Sequence, residues 1–145
     1  MGIHLTDAAR RYLSAFADVT GARATDCIVN DEIVFVVEPD DMGRAIGTHG
    51  RTVKGLEERL GKEVVLVEDA EFPEVFVANA LAPAAVYDVE LETQDGESVA
   101  IASVDPDDVG VAIGRDGERI ARAKHLAGRH FDIADIEVRP TERRA

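Results

Sequence analysis

One stretch of this chain occurs twice, and the duplication limits what the chain can fold into. Residues 38–54 and 105–121 align at a constant offset of 67, with 8 of 17 positions identical. The shared residues are Pro39/Pro106, Asp40/Asp107, Asp41/Asp108, Gly43/Gly110, Ala45/Ala112, Ile46/Ile113, Gly47/Gly114 and Gly50/Gly117. Each copy ends in Ile-Gly-x-x-Gly and runs on into apolar positions at helical spacing. A long internal repeat implies two copies of one structural unit doing one physical job in two places. The 145 residues therefore divide into two small domains, expected at 1–69 and 70–145. The segment between them, about Asp69 to Phe72, has no Gly/Ser spacer, so the units are expected to be held close.

The hydrophobic pattern around each copy gives the elements. Thr6 and Asp7 can cap a helix that places Leu5, Ala8, Ala9, Tyr12, Leu13 and Phe16 on one face, with Gly21 to end it. Two β-rich runs follow, 26–30 and 32–38, joined at Asn30-Asp31 as a hairpin. Pro39 closes the second run, and Asp40 or Asp41 is expected to cap a short helix from Met42 to Ile46. After Gly50 a longer helix should run to Leu60, burying Val53, Leu56 and Leu60, before a third strand at 62–68. The second half repeats the order. Its helix starts at Pro73, its strands lie at 85–91 and 97–104 around Gln94-Asp95-Gly96, and its last strand spans 135–139. The tail from Thr141 to Ala145 should fray. The expectation is an α+β fold in which each unit packs a three-stranded sheet against three helices.

Charge bears on partners. The chain holds 29 acidic and 16 basic residues, a net −13, with three lysines against 13 arginines. An acidic, lysine-poor surface stays hydrated in concentrated salt, which screens its self-repulsion, so a halophilic source is expected. The basic residues are not spread evenly. Windows 44–62 and 115–129 hold 10 of the 16, and each carries +3, whereas the other positions sum to −19. Both positive islands start at the repeated glycine loop. No run approaches the roughly 18 apolar residues of a membrane span. The first residues lack the basic and apolar regions of a signal peptide, and the single cysteine, Cys27, lies in an apolar run as a small buried hydrophobe. A cytoplasmic monomer is expected.

Two glycines flanking two residues, between one helix and the next, make a backbone nest. Glycine leaves no Cβ in a ligand's way, and the following helix offers free N–H groups and the positive end of its dipole. Such a corner favours an anion, most simply a phosphodiester. Enzymatic alternatives find little support. His4, His49, His125 and His130 are scattered, there is no metal-binding Cys/His spacing or P-loop, and helix caps account for the paired aspartates without a metal. No catalytic residue, metal or cofactor is expected.

Ile46-Gly-Thr-His-Gly50 and Ile113-Gly-Arg-Asp-Gly117, in this element order, resemble the signature of KH domains of the type II arrangement. The tandem pair and the joining segment Glu71-Phe-Pro-Glu-Val-Phe-Val-Ala-Asn-Ala-Leu-Ala-Pro83 are similar to the NusA family of transcription factors in its short archaeal form. The resemblance covers nearly the whole chain. It implies single-stranded RNA held over the loops, about four nucleotides to each, and a role in transcription elongation or termination with RNA polymerase or other transcription proteins as partners. The alternatives are a KH protein of translation or RNA processing, or a protein-interaction adaptor.

By this resemblance the first site comprises Arg44, Ile46, Gly47, Thr48, His49, Gly50, Arg51 and Lys54. The second comprises Ile113, Gly114, Arg115, Asp116, Gly117, Arg119 and Arg122. Ile46 and Ile113 would line the groove, Val53 and Ile120 would be mostly core, and the basic side chains would meet phosphates. Asp116 sets a negative charge on the expected phosphate path, so the second loop should bind more weakly than the first, along one RNA path crossing both.

Overall fold

The computed structural model describes residues 3–141, which form two compact units that divide between Ala70 and Glu71. The expected ragged tail beyond Thr141 lies outside the described residues. Among those residues no helix is long and apolar enough to cross a membrane.

In the first unit, helix α1 (Asp7–Thr20) starts where the Thr6 hydroxyl accepts the Ala9 N–H at 3.1 Å. Strands β1 (Ala24–Val29) and β2 (Ile33–Val37) pair antiparallel, and β3 (Val64–Glu68) joins β2 in parallel, giving the order β1-β2-β3. Between β2 and β3 lie helices α2 (Met42–Ile46) and α3 (Arg51–Leu60). Central strand β2 is Ile-Val-Phe-Val-Val, and all five residues are buried. Alternate residues of that strand, Ile33, Phe35 and Val37, meet Ala9 and Phe16 of α1, Cys27 of β1, Ala45 of α2 and Leu56 of α3 in one core. The Phe16 and Phe35 rings sit 4.5 Å apart. Val53 packs against this core and is half-buried.

The second unit repeats the topology with different lengths. Helix α4 (Pro73–Ala80) is eight residues where α1 has 14. Strands β4 (Val86–Gln94) and β5 (Glu97–Val104) are longer than their counterparts, and β6 (Asp135–Pro140) pairs in parallel with β5, again in the order β4-β5-β6. Helices α5 (Val109–Ile113) and α6 (Glu118–Phe131) complete the unit. Phe76 of α4 anchors its core, 5.0 Å from the His130 ring and 5.2 Å from Phe131 between ring centres.

The expected element order holds in both halves, with two local corrections. Gln94 belongs to β4 and pairs with Glu97, so the hairpin turn is Asp95-Gly96 alone. Both turn residues have positive φ, 52° and 81°, the geometry that a tight two-residue hairpin needs. The aspartates before α2 and α5 are not helix caps. Pro39–Asp41 and Pro106–Asp108 each form a single tight 3-10 turn, and no side chain caps either following helix. Those carboxylates make a longer-range connection instead.

Candidate nucleic-acid interface

The two glycine corners have almost the same backbone. Gly47 sits at φ 76°, ψ 172° and Gly114 at φ 81°, ψ 173°, a region open essentially to glycine alone. His49 and Asp116 follow in the left-handed region at φ 56° and 53°, then Gly50 and Gly117 at φ 73° and 74°. The N–H of the second glycine donates to the carbonyl of the first at 3.1 Å in both loops.

The paired glycines have different duties. A Cβ built on Gly47 would stand 2.1 Å from Thr52 Oγ1 and 2.8 Å from the Thr52 backbone nitrogen. On Gly114 it would stand 2.9 Å from Arg119 Cβ and nitrogen. The first glycine of each loop is therefore required by the close turn of the chain into the next helix. A Cβ on Gly50 or Gly117 would meet nothing within 4 Å. The second glycine keeps the outer surface of the corner bare. No side chain caps α3 or α6; the first N–H of each helix, that of Arg51 and of Glu118, turns back to the Thr48 and Arg115 carbonyls, and the positive end of each helix dipole faces the corner without a side-chain acceptor.

Behind each corner an aspartate fixes the loop-bearing helix to the start of the first strand. Asp41 Oδ2 accepts the Arg23 N–H at 2.8 Å and Arg23 Nε at 3.3 Å, while Arg44 Nη1 lies 3.9 Å from Oδ1. Asp41 is only 7% exposed. The Arg23 backbone N–H, helped by the Arg23 and Arg44 charges and opposed by burial, holds this carboxyl below its ordinary range. In the second unit Asp108 Oδ2 accepts the Ala85 N–H at 2.7 Å. Asp105, one residue before the shared Pro-Asp-Asp, accepts the Asp107 N–H and the Tyr87 hydroxyl at 2.9 and 2.8 Å. The repeated Asp41/Asp108 position was the available signal, but its partner lies 18 or 23 residues away in sequence.

The side chains of the expected site divide into free and occupied groups. Thr48, His49, Arg51 and Lys54 make no side-chain hydrogen bond or ion pair with any described residue; nor do Arg115 and Asp116. Thr48, His49, Arg51, Lys54, Arg115 and Asp116 are all exposed. Arg44 is turned to the end of α1, where Nη1 donates to the Gly21 carbonyl at 3.2 Å. Arg119 donates from Nη1 to the Val111 carbonyl and so ties α6 back to α5. Arg122 is half-buried and engaged. Ile46 is 39% exposed beside the first loop, whereas Ile113 is half-buried. Loop cations free to meet a ligand thus narrow to Arg51 and Lys54 in the first unit and Arg115 in the second.

A mixed three-stranded sheet bearing a helix–Gly-x-x-Gly–helix corner defines the KH class, and comparison with known proteins agrees. The KH domain family profile matches residues 10–94, running past the first unit into β4, and the NusA-like second KH domain profile matches 73–140. A probable transcription termination protein NusA from Halococcus morrhuae is 52% identical over 95% of this chain and 99% of its own length. A protein of the same name from Methanococcus vannielii is 36% identical, covering 87% of this chain and 73% of its own. The crystal structure of APE1850 superposes with a TM-score of 0.82 at 32% identity, covering 93% of this chain and all of that one. This chain belongs to the NusA-like family of tandem KH-domain proteins. Its acidic, lysine-poor composition accords with relatives from halophilic archaea.

Proposed function

We propose that the chain binds single-stranded RNA across its two glycine corners and acts in transcription elongation or termination. The observation that carries this reading is the bare outer face of Gly50 and Gly117, each leading into a helix whose first turn has no side-chain cap. A phosphodiester fits that surface because it brings negative charge to the positive end of a helix without a side-chain cap and needs the space that a Cβ would fill. Arg51, at the first position of α3, and Lys54 one turn later add positive charge beside the first corner. Ile46 offers an apolar edge to a base.

In the second unit Arg115 is the free cation, and Asp116 with Glu118 at the first position of α6 faces an approaching phosphate with like charge. The first corner is accordingly the stronger of the two. The names of the relatives support the transcriptional role.

The test is a Gly50→Asp/Gly117→Asp double variant, titrated with a pool of single-stranded RNA oligonucleotides. These positions are chosen because their side chains enter open space and aspartate already occupies the left-handed region at Asp95, Asp116 and Asp132. Binding should fall at least about tenfold with the circular dichroism spectrum unchanged. Unaltered affinity in the folded variant would sink the reading. Since strong salt suppresses counterion release, native affinity should also decline only gently from about 0.5 to about 3 M KCl, and a steep log–log slope would count against groove contacts as its source.

A further inference from the structure

The net charge of this protein resides in one span. Residues 63–114 contain 13 acidic residues and no lysine, arginine or histidine, whereas the remaining 93 positions carry 16 acidic and 16 basic residues. Strand β4 lies in the middle of that span and forms an edge of its sheet. Helices α5 and α6, which flank the second glycine corner, pack against β6 at the opposite edge.

The β4 edge is long and regular. After a register shift between Val86 and Asp88, pairing with β5 runs without interruption from Asp88 to Gln94. Seven residues of strand span about 24 Å. No described strand pairs with its outer side, so alternate backbone N–H and C=O groups there have no ladder partner. The β4–β5 hairpin also projects beyond β6, whose pairing with β5 begins at Val99. The corresponding edge strand of the first unit, β1, has a regular register of only four residues, Asp26 to Val29, and its Asp26 is buried.

Side chains on β4 set what could join it. Asp88, Glu90 and Glu92 alternate along one face, all exposed, and none makes a hydrogen bond or ion pair with any described residue. Nearby carboxylates on β6 are matched: Lys124 Nζ lies 3.1 Å from Asp135, and Arg139 Nη2 lies 2.7 Å from Glu137. On the other face Leu91 is 40% exposed. A second copy of this strand would bring carboxylates against carboxylates, so the edge resists self-pairing. A strand with basic residues at alternate positions would neutralise the row, while its intervening apolar side chains meet Leu91.

We propose that the Asp88–Gln94 edge of β4 is a docking surface for an extended segment of another protein that carries Lys or Arg at alternate positions and adds a fourth strand to this sheet. Backbone ladder bonds supply the attachment, and the acidic row selects a basic strand over an acidic or self-derived one. This surface is independent of the glycine corners.

The experiment titrates the full chain, at about 1 M KCl, with three seven-residue peptides: alternating arginine and valine, the same with proline at the centre, and alternating glutamate and valine. At that salt, general attraction is confined to about 3 Å. The arginine–valine peptide should shift the backbone amides of residues 88–94 and slow their hydrogen exchange, with the loops at 47–50 and 114–117 unaffected. The proline peptide, which keeps every charge but cannot complete a ladder, should bind about tenfold more weakly. A Glu90→Arg/Glu92→Arg variant should turn the preference toward the glutamate–valine peptide. Equal binding of the arginine and proline peptides, or unchanged β4 amides, would overturn the docking edge. Equal binding of the arginine and glutamate peptides would overturn the basic partner.

Discussion

The two glycine corners share a backbone to within a few degrees and differ in nearly everything attached to it. Position for position, Thr48-His49 faces Arg115-Asp116, Arg51 faces Glu118, Thr52 faces Arg119 and Lys54 faces Ala121. At the start of α3 the first residue, Arg51, is cationic and adds its charge to the positive end of the helix dipole. At the start of α6 the first residue is Glu118, which suits the dipole while already supplying negative charge. Arg119 takes the place of Thr52 and uses its guanidinium on the Val111 carbonyl, an internal brace that the first unit lacks. Duplication kept the frame, and divergence fell on the surface that would meet a ligand.

The contrast can be broken at several points. The largest effect is expected at the first glycines. Gly47→Ala forces a side chain into a glycine-only region and against Thr52, and should cost about 3–5 kcal/mol. Gly50→Ala should cost about 1–2 kcal/mol, the ordinary strain of a left-handed alanine. Thermal unfolding of both variants checks this, and equal losses would remove the division of duties within the loop.

Next, Gly50→Asp alone should weaken binding to single-stranded RNA about tenfold, and Gly117→Asp alone only about threefold. Parallel titrations of the single variants rank the corners, and a larger loss from Gly117→Asp would invert the ranking. A smaller change is expected from exchanging the loop centres. The His49→Asp/Asp116→His chain keeps its composition and left-handed geometry, so the affinity gap between the corners should narrow by about two- to fivefold, read by repeating the aspartate scan in that background.

The smallest effect concerns Asp41. Its folded pKa lies below the ordinary 3.8, so its contribution to stability is present above that value and is lost as pH falls through the folded pKa. The difference in melting temperature between the native chain and Asp41→Asn should therefore shrink as pH drops from about 5 to about 3. A difference that grew on acidification would contradict the sign of the shift.

What the sequence made legible was local. Glycines at 47, 50, 114 and 117, apolar spacing along α1 and α3, and the Ile-Val-Phe-Val-Val run of β2 each act within a few residues, so element order and loop positions followed directly. What escaped depended on distance. Asp41 and Asp108 looked like helix caps because aspartates before helices usually are, yet their acceptors are filled by backbone N–H groups brought in by the hairpin. The family resemblance sets Arg44 and Arg119 at the phosphates; in the structure one guanidinium nitrogen of each donates to a backbone carbonyl, of Gly21 and of Val111. The unequal roles of the two glycines depend on where residues 52 and 119 fold back, which spacing alone does not reveal.

The left-handed conformation at His49 and Asp116 also restricts how such a loop can change over time. A non-glycine residue at φ near +55° is tolerated best when it is asparagine, aspartate or histidine. Among these, histidine alone can bear positive charge. The neighbouring position, Thr48 or Arg115, is outside this restriction and can take either sign at no backbone cost. A lineage tuning the grip of such a loop therefore has one free dial and one with three or four settings. At the restricted position nearly every other choice is neutral or negative, so the charge of such a corner is set chiefly by its unrestricted neighbour.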